Sequence, residues 1–249
     1  MIELFSYSLS YNELLILILV ATLIGMAKTG VGGAGMVAVP LLALMFGGKE
    51  STGLMLPILI FADLFGVYHY SRHASWQHLR QLLPYAMAGV VIGTVTGSAV
   101  DEELFKRLMA LIIFASIAIM VWQETRKSID VPTSKWFVAT IGIVGGFATM
   151  VGNLAGPVMV LYLLAMRLPK NQMIGTAAWF FLAINVLKVP FHIFAWETIN
   201  LQSFLLDLSL VPAIAVGAFI GIRIVKVIPE KIYRWFIIVM TGLAAAMLV

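Results

Sequence analysis

The residues of this sequence best placed to do chemistry are the few ionisable side chains that fall inside long apolar stretches. Among them are Lys28, Asp63, Lys188 and His192. An ionisable group at the centre of a bilayer costs about 3 kcal/mol or more, so it needs a reason to be there. Binding, moving or exchanging an ion is the chemistry that such groups perform inside a membrane.

A glycine-rich run surrounds the first of these residues, Lys28. Five glycines fall within the eleven residues from Gly25 to Gly35. Glycine disfavours a helix interior by about 1 kcal/mol relative to alanine, so this run predicts a helix break. A second half-helix starting near Gly33 would direct free N–H groups towards the middle of the membrane, where they bind anions. The predicted substrate-binding residues of this run are Lys28, Thr29, Gly30, Gly32, Gly33 and Gly35.

A second run of the same kind extends from Gly145 to Pro157 and also predicts a broken helix. Two such breaks in corresponding positions of a transporter are the best sequence indication of its binding site. The alternative is that the glycines only allow helices to pack closely, which is the interpretation we favour for Gly89-xxx-Gly93-xxx-Gly97 and Gly217-xxx-Gly221. From the second run and a later segment, the predicted substrate-binding residues are Thr149, Gly152, Asn153, Gly156 and Asn185.

Three further groups are predicted to couple or gate transport: Asp63, Lys188 and His192. A carboxyl near a lysine in a low dielectric can exchange its proton, although a Lys28–Asp63 ion pair that only orients helices is the alternative for Asp63. Asn185, Lys188 and His192 fall on one helix face at i, i+3 and i+7. For the two basic residues, extension of the side chain to the membrane surface is the alternative. Asp207 and His69 lie near segment ends and are predicted to be interfacial, and Trp196, also near a segment end, is predicted to belong to an aromatic belt at the membrane surface.

The elements that must position these groups are membrane helices. Of the 249 residues, 61% are hydrophobic and 11% charged, and the mean hydropathy is +1.01, which excludes a water-soluble globule. The composition predicts an all-α polytopic membrane protein. The predicted apolar segments are 12–29, 33–47, 53–71, 82–100, 106–123, 136–152, 154–166, 173–196, 203–226 and 232–249.

The two halves of the chain resemble each other. Gly25 matches Gly146 at a shift of 121, and Gly89 matches Gly217 at a shift of 128. Asp63 falls opposite Asn185. Five segments in each half invert the second copy, so we expect two inverted repeats whose broken helices meet near the midplane. The predicted units are a first repeat over 1–124, a cytoplasmic linker over 125–135 and a second repeat over 136–249.

Positive charge indicates the orientation of the chain. Threading ten crossings puts eleven basic residues on one side and three on the other, and the side richer in basic residues is cytoplasmic. Both termini are then periplasmic. Two other arrangements stay open: segments two and seven as re-entrant loops, or hairpins formed by segments one with two and six with seven.

The sequence lacks the motifs that several classes of enzyme and metal-binding protein require. The chain contains no cysteine, no phosphate-binding Gly-Lys-Ser/Thr loop and no His-Glu-x-x-His metal motif. We therefore expect no cofactor, no metal, no nucleic-acid partner and no enzymatic activity. An intramembrane enzyme and a non-transporting assembly factor are the alternatives from other classes.

The run Lys28-Thr-Gly-Val-Gly-Gly-Ala-Gly, followed by Val39-Pro40, with its second copy from Gly146 to Pro157, resembles the TauE/SafE family of sulfite exporters. The resemblance implies a bacterial inner-membrane permease that moves sulfite or a related organosulfur anion, usually outward. We expect a secondary transporter working by alternating access, with the lipid bilayer and a small anion as its partners. Proton coupling, a homodimer and the alternative of a proton-coupled importer of another organic anion stay open.

Overall fold

The computed structural model describes residues 2–5, 7–29, 34–70, 72, 74–125, 134–166, 168 and 170–224, together with residues 235, 238, 239, 242 and 246. Three sequence predictions fall largely outside these residues: the substrate-binding Gly30, Gly32 and Gly33, the linker, and the last apolar segment.

Ten helices and one small hairpin make up the described chain. The hairpin pairs β1 (Ile2–Leu4) with β2 (Tyr7–Leu9) in antiparallel register and was not predicted. The helices are α1 Tyr11–Thr29, α2 Ala34–Phe46, α3 Gly48–Tyr70, α4 Trp76–Ala99, α5 Glu102–Thr125, α6 Lys135–Gly152, α7 Gly156–Ala165, α8 Lys170–Phe194, α9 Leu201–Ser209 and α10 Val211–Ile224.

Within the described residues, six helices are long and apolar enough to cross a membrane. They are α1, α3, α4, α5, α6 and α8. The predicted single segment 203–226 is instead two helices, α9 and α10, which meet at Leu210 with a bend of 44° and make a seventh span if they are counted together. The prediction of an all-α polytopic membrane protein is confirmed.

Helices α2 and α7 are too short to cross the bilayer alone. Their 13 and 10 residues give lengths of about 20 and 15 Å, against roughly 30 Å of hydrocarbon. Each folds back along the helix before it: a Cβ on Gly35 would lie 3.6 Å from Ala27, and one on Gly145 would lie 3.4 Å from Val158. These contacts favour the hairpin pairing among the arrangements that the sequence left open.

The break between α6 and α7 is stabilised by its own backbone. Asn153 adopts the left-handed conformation at φ 56°, and its N–H donates to the Thr149 carbonyl oxygen at 3.0 Å. The bond is that of an αL helix cap, and Leu154 N–H donates to the Ala148 carbonyl oxygen at 3.3 Å, which satisfies a second carbonyl group at the end of α6. Asparagine tolerates this conformation better than most residues do. The predicted helix break in this second run is confirmed.

Glycines set two close helix contacts, α4 with α6 and α1 with α10. A Cβ on Gly89 would overlap the Ile143 carbonyl oxygen, and one on Gly217 would overlap the Thr22 carbonyl oxygen. These two contacts are related by the same shifts of 121 and 128 residues that relate the halves of the sequence. The packing interpretation of these glycine runs is confirmed.

The central pair of helices, α3 and α8, crosses antiparallel. From the N-terminal to the C-terminal end of α3, Gly53 lies against Thr198, Asp63 bonds to Asn185, and Gly66 lies against Ala178, so residue numbers rise in α3 as they fall in its partners. The hydrophobic core surrounds this pair, and α3 has the largest buried share of any candidate span. Side chains projecting from α3 towards α8 are thus held at the centre of the protein.

Replacing a contact glycine with alanine tests the packing. Because the new Cβ would overlap a backbone oxygen, we expect Gly89→Ala or Gly25→Ala to lower the free energy of unfolding by about 1–3 kcal/mol. Helix propensity alone would raise the free energy of unfolding by about 1 kcal/mol. Thermal unfolding in detergent shows whether each substitution stabilises or destabilises the protein. Gly156→Ala is the matched control, since its Cβ would meet nothing within 4 Å; equal behaviour of all three variants contradicts the packing.

Candidate functional site

A buried ion pair joins the first helix break to the central helices. Lys28, in the last turn of α1, places its Nζ 2.8 Å from Oδ1 of Asp63 in α3, and their side chains are 16% and 1% exposed. The other carboxylate oxygen of Asp63 accepts a hydrogen bond of 2.6 Å from the Asn185 amide of α8. The Lys28 ammonium also lies 4.2 Å from the centre of the Phe181 ring. Both oxygens of Asp63 are therefore satisfied, and α1, α3 and α8 are tied together.

Local structure explains the position of Lys28. Cations are favoured in the last turn of a helix, where the free carbonyl groups carry partial negative charge. The Thr29 hydroxyl donates to the carbonyl oxygens of Gly25 and Ala218 at 3.0 and 2.9 Å, and the Tyr70 hydroxyl donates to the Thr29 carbonyl oxygen at 2.9 Å. These bonds fix the end of α1 against α10 and α3, so that the side chain of Thr29 faces α10 rather than Asp63.

The second break is held by a second lysine. The Lys188 Nζ donates to the Thr149 carbonyl oxygen at 2.9 Å, to its hydroxyl at 3.1 Å and to the Asn153 amide oxygen at 2.6 Å. Three oxygen partners match the three N–H bonds of an ammonium group. Lys188 is 0% exposed, so the alternative in which it extends to the membrane surface is wrong. The amide N–H of Asn153 donates in turn to the Thr52 carbonyl oxygen of α3 at 3.2 Å.

One face of α8 carries the polar residues of the site, as their spacing predicts. One and two turns beyond Asn185 lie Lys188 and His192, and all three are buried. The His192 Nδ1 lies 2.9 Å from the Thr198 hydroxyl, and its ring packs edge-on against Trp196. His192 is therefore interior as well, which excludes surface extension for it. This polar stripe leads from Asp63 to the loop that follows α8.

The described side chains at this site include more basic groups than acidic ones. Two lysines, Lys28 and Lys188, share the interior with one carboxyl, Asp63. This group of three, which we call the buried charge cluster, carries one positive charge in excess when all three groups are ionised. Since an uncompensated charge in an apolar interior is costly, a small anion is the ligand that this cluster would stabilise.

The remaining predicted residues lie at the helix breaks. Gly35 is the second residue of α2, Gly152 ends α6, and Gly156 begins α7. A Cβ added to Gly156 would meet no atom within 4 Å. The structure brings six predicted residues into two contact groups, Lys28 with Asp63 and Asn185, and Lys188 with Thr149 and Asn153. Gly35 and Thr29 make no hydrogen bond to either group within the described chain.

Two predictions about interfacial residues are wrong. Asp207 was expected near a surface but is 0% exposed, and Trp196, expected in an aromatic belt, is 7% exposed with its indole N–H bonded to the Thr94 carbonyl oxygen at 3.1 Å. Both side chains are buried inside the protein: Trp196 lies in the loop between α8, which ends at Phe194, and α9, which begins at Leu201, and Asp207 lies on α9. The Asn200–Ser203 capping box marks that start in the sequence and was overlooked. Sequence reasoning also missed Thr52, Thr198 and Phe181.

Three of the site's side chains are closed to solvent in this structure. Asp63, Asn185 and Lys188 are each no more than 1% exposed, whereas Lys28 is 16% exposed. At the Thr198 end, Gly53 allows the loop after α8 to approach α3 closely, and at the other end Trp76 packs on Trp179 with ring centres 5.2 Å apart. A ligand therefore reaches Asp63, Asn185 and Lys188 only after neighbouring groups move.

Comparison with known proteins gives one family. The family model described as "Sulfite exporter TauE/SafE" matches residues 17–248. Neither the curated proteins nor the solved structures give a significant match. The matched range includes both helix breaks and every residue of the buried charge cluster.

Removing the counter-charge tests the ion pair. Asp63→Ala leaves the Lys28 ammonium unpaired in the interior, and we expect the free energy of unfolding to fall by about 3–5 kcal/mol. The double variant Lys28→Met/Asp63→Ala removes both charges and should recover most of this loss. Thermal unfolding in detergent is the measurement. The control is Glu103→Ala, which removes the acidic partner of the exposed Arg107; a loss at Asp63 no larger than at Glu103 would contradict the assignment.

Proposed function

This chain belongs to the sulfite exporter TauE/SafE family, and we propose that it is a secondary permease that exports sulfite or a related organosulfur anion across the bacterial inner membrane. The observation that carries the proposal is that two lysines but only one carboxyl meet in the buried charge cluster. Sulfite and sulfonates present several oxygen acceptors on a small anion, which suits two ammonium groups and the free N–H groups of helix breaks.

The anion competes with Asp63 for Lys28. Lys28 is the more exposed member of the ion pair, at 16%, and its side chain has the freedom to exchange one anionic partner for another. When an anion arrives, Lys28 turns from Asp63 to the anion, and Asp63 keeps its bond to Asn185. When the anion leaves, Asp63 recaptures the lysine. Asp63 is thus the gating group that keeps the vacant site neutralised at Lys28.

Lys188 contributes charge while staying in place. Its three bonds to Thr149 and Asn153 stabilise the end of α6, so these two residues act on the anion through Lys188 rather than directly. In this proposal the backbone N–H groups of Gly30, Gly32, Gly33 and Gly35 bind the anion from the first break, and Thr29 contributes by fixing the end of α1 against α10. Gly152 and Gly156 flank the second break, and His192 lines the path beyond Lys188.

Alternating access follows from the proposed inverted repeats, 1–124 and 136–249, joined by a cytoplasmic linker at 125–135, with periplasmic termini. Three observations support this architecture: α3 and α8 are antiparallel, the equivalent residues Asp63 and Asn185 bond to each other, and the glycine contacts recur at constant shifts. Two inverted halves can exchange conformations, which opens the cluster to each side in turn.

Transport by purified protein in liposomes tests the proposal. We expect Lys28→Met and Lys188→Met to reduce the exchange of radiolabelled sulfite to the level of protein-free liposomes, because either change removes the excess positive charge. Lys106→Met is the matched control, since Lys106 lies at the protein surface beside Glu102. Variants are compared only after size-exclusion chromatography shows that they are folded. Parent rates in folded Lys28→Met and Lys188→Met would refute the mechanism.

A further inference from the structure

A second buried carboxyl lies away from the buried charge cluster. Asp207 of α9 is 0% exposed, and neither of its carboxyl oxygens has a hydrogen-bond partner among the residues that the structure describes. Asp63, in contrast, has a partner for each oxygen. The ion pairs of the described chain also leave Asp207 without a cation.

The surroundings of Asp207 connect it to one face of the protein. Helix α9 packs against α3 and α10, and Tyr7 of β2 lies within range of the charges of both Asp207 and Glu50, the latter in the first turn of α3. Burial raises the pKa of the Tyr7 hydroxyl, and Asp207 and Glu50 raise it further when they are ionised. Glu50 is exposed, Tyr7 is half-buried and Asp207 is fully buried, so the three groups differ stepwise in their access to water.

The chemistry of such a carboxyl favours a proton as its ligand. An ionised carboxylate with neither a donor nor a cation beside it is expensive in an apolar interior. Binding a proton neutralises the carboxylate, and the site then needs no cation and no hydrogen-bond donor from another residue. The Tyr7 hydroxyl and the Glu50 carboxyl are both groups that accept and donate protons.

The position of Asp207 links it mechanically to the anion site. Its carbonyl oxygen accepts a hydrogen bond of 3.1 Å from Leu210 N–H, at the 44° bend between α9 and α10. Beyond the bend, α10 packs on α1, and the Ala218 carbonyl oxygen accepts the bond from the Thr29 hydroxyl. A change in the bend therefore moves the end of α1 that carries Lys28.

We propose that Asp207 is a proton-binding site that couples proton movement to anion movement, with Tyr7 and Glu50 as its route to water and α10 as its connection to Lys28. The coupling rests on the proposed function, whereas proton binding at Asp207 does not. Asp63, held by Lys28 and Asn185, is then the gate and not the proton carrier.

Proton binding is tested without any substrate. Infrared spectra of the purified full-length protein are recorded over a pH titration, and the carbonyl stretch of protonated carboxyl groups is followed. We expect a band in the parent protein that is absent from Asp207→Asn and retained in Asp207→Glu and in Asp101→Asn, an exposed aspartate at the start of α5. A band that survives unchanged in folded Asp207→Asn, or no such band in the parent, overturns the proposal.

Coupling is tested in liposomes with methanesulfonate, which carries no titratable proton, and an internal pH dye. We expect the parent protein to accumulate the anion in response to a pH gradient and to change the dye signal. Asp207→Asn should lose both effects while still exchanging methanesulfonate that is present on both sides, and Asp101→Asn should behave as the parent. Gradient-driven accumulation by Asp207→Asn at the parent level overturns coupling. If the parent moves neither methanesulfonate nor sulfite, the proposed function fails, and the infrared result still decides proton binding.

Discussion

The ion pair between Lys28 and Asp63 is the interaction on which the rest of this structure depends. A lysine at the end of a broken helix inside a membrane protein needs a counter-charge, and Asp63 supplies it from the middle of α3. The carboxylate in turn requires donors for both oxygens, which brings Asn185 and with it α8 to the same point. Three helices are thereby fixed around one buried carboxylate, and the second lysine of α8 is brought to the other break.

Close packing makes this arrangement possible without a large apolar interface. Lipid is as apolar as leucine, so helices in a membrane gain little from hydrophobic burial and associate through small residues and polar bonds. Here glycines such as Gly89 and Gly217 allow backbones to touch in the pairs α4 with α6 and α1 with α10. These two outer pairs flank α3 and α8. The polar groups between them bond to one another and to backbone carbonyl groups of the neighbouring helices.

The sequence predicted the fold class and most polar residues of the site, because a charge in an apolar stretch is rare enough to be noticed. It also predicted that Asp63 and Asn185 are equivalent, but not that they touch, since that contact depends on the antiparallel crossing of α3 and α8. Residues 2–9 lie outside the apolar segments, so their hairpin was missed. The position of Asp207 was predicted wrongly because no glycine in the sequence marks the bend at Leu210. Hydropathy alone therefore merged α9 with α10 into one segment.

In the proposed mechanism an anion replaces Asp63 as the partner of Lys28. An experimental structure of the protein in saturating sulfite is the direct test. We expect density for the anion between the side-chain amines of Lys28 and Lys188, a Lys28–Asp63 separation well beyond the 2.8 Å seen here, and an intact Asn185–Asp63 bond. An unchanged ion pair with sulfite bound elsewhere in the protein would contradict it.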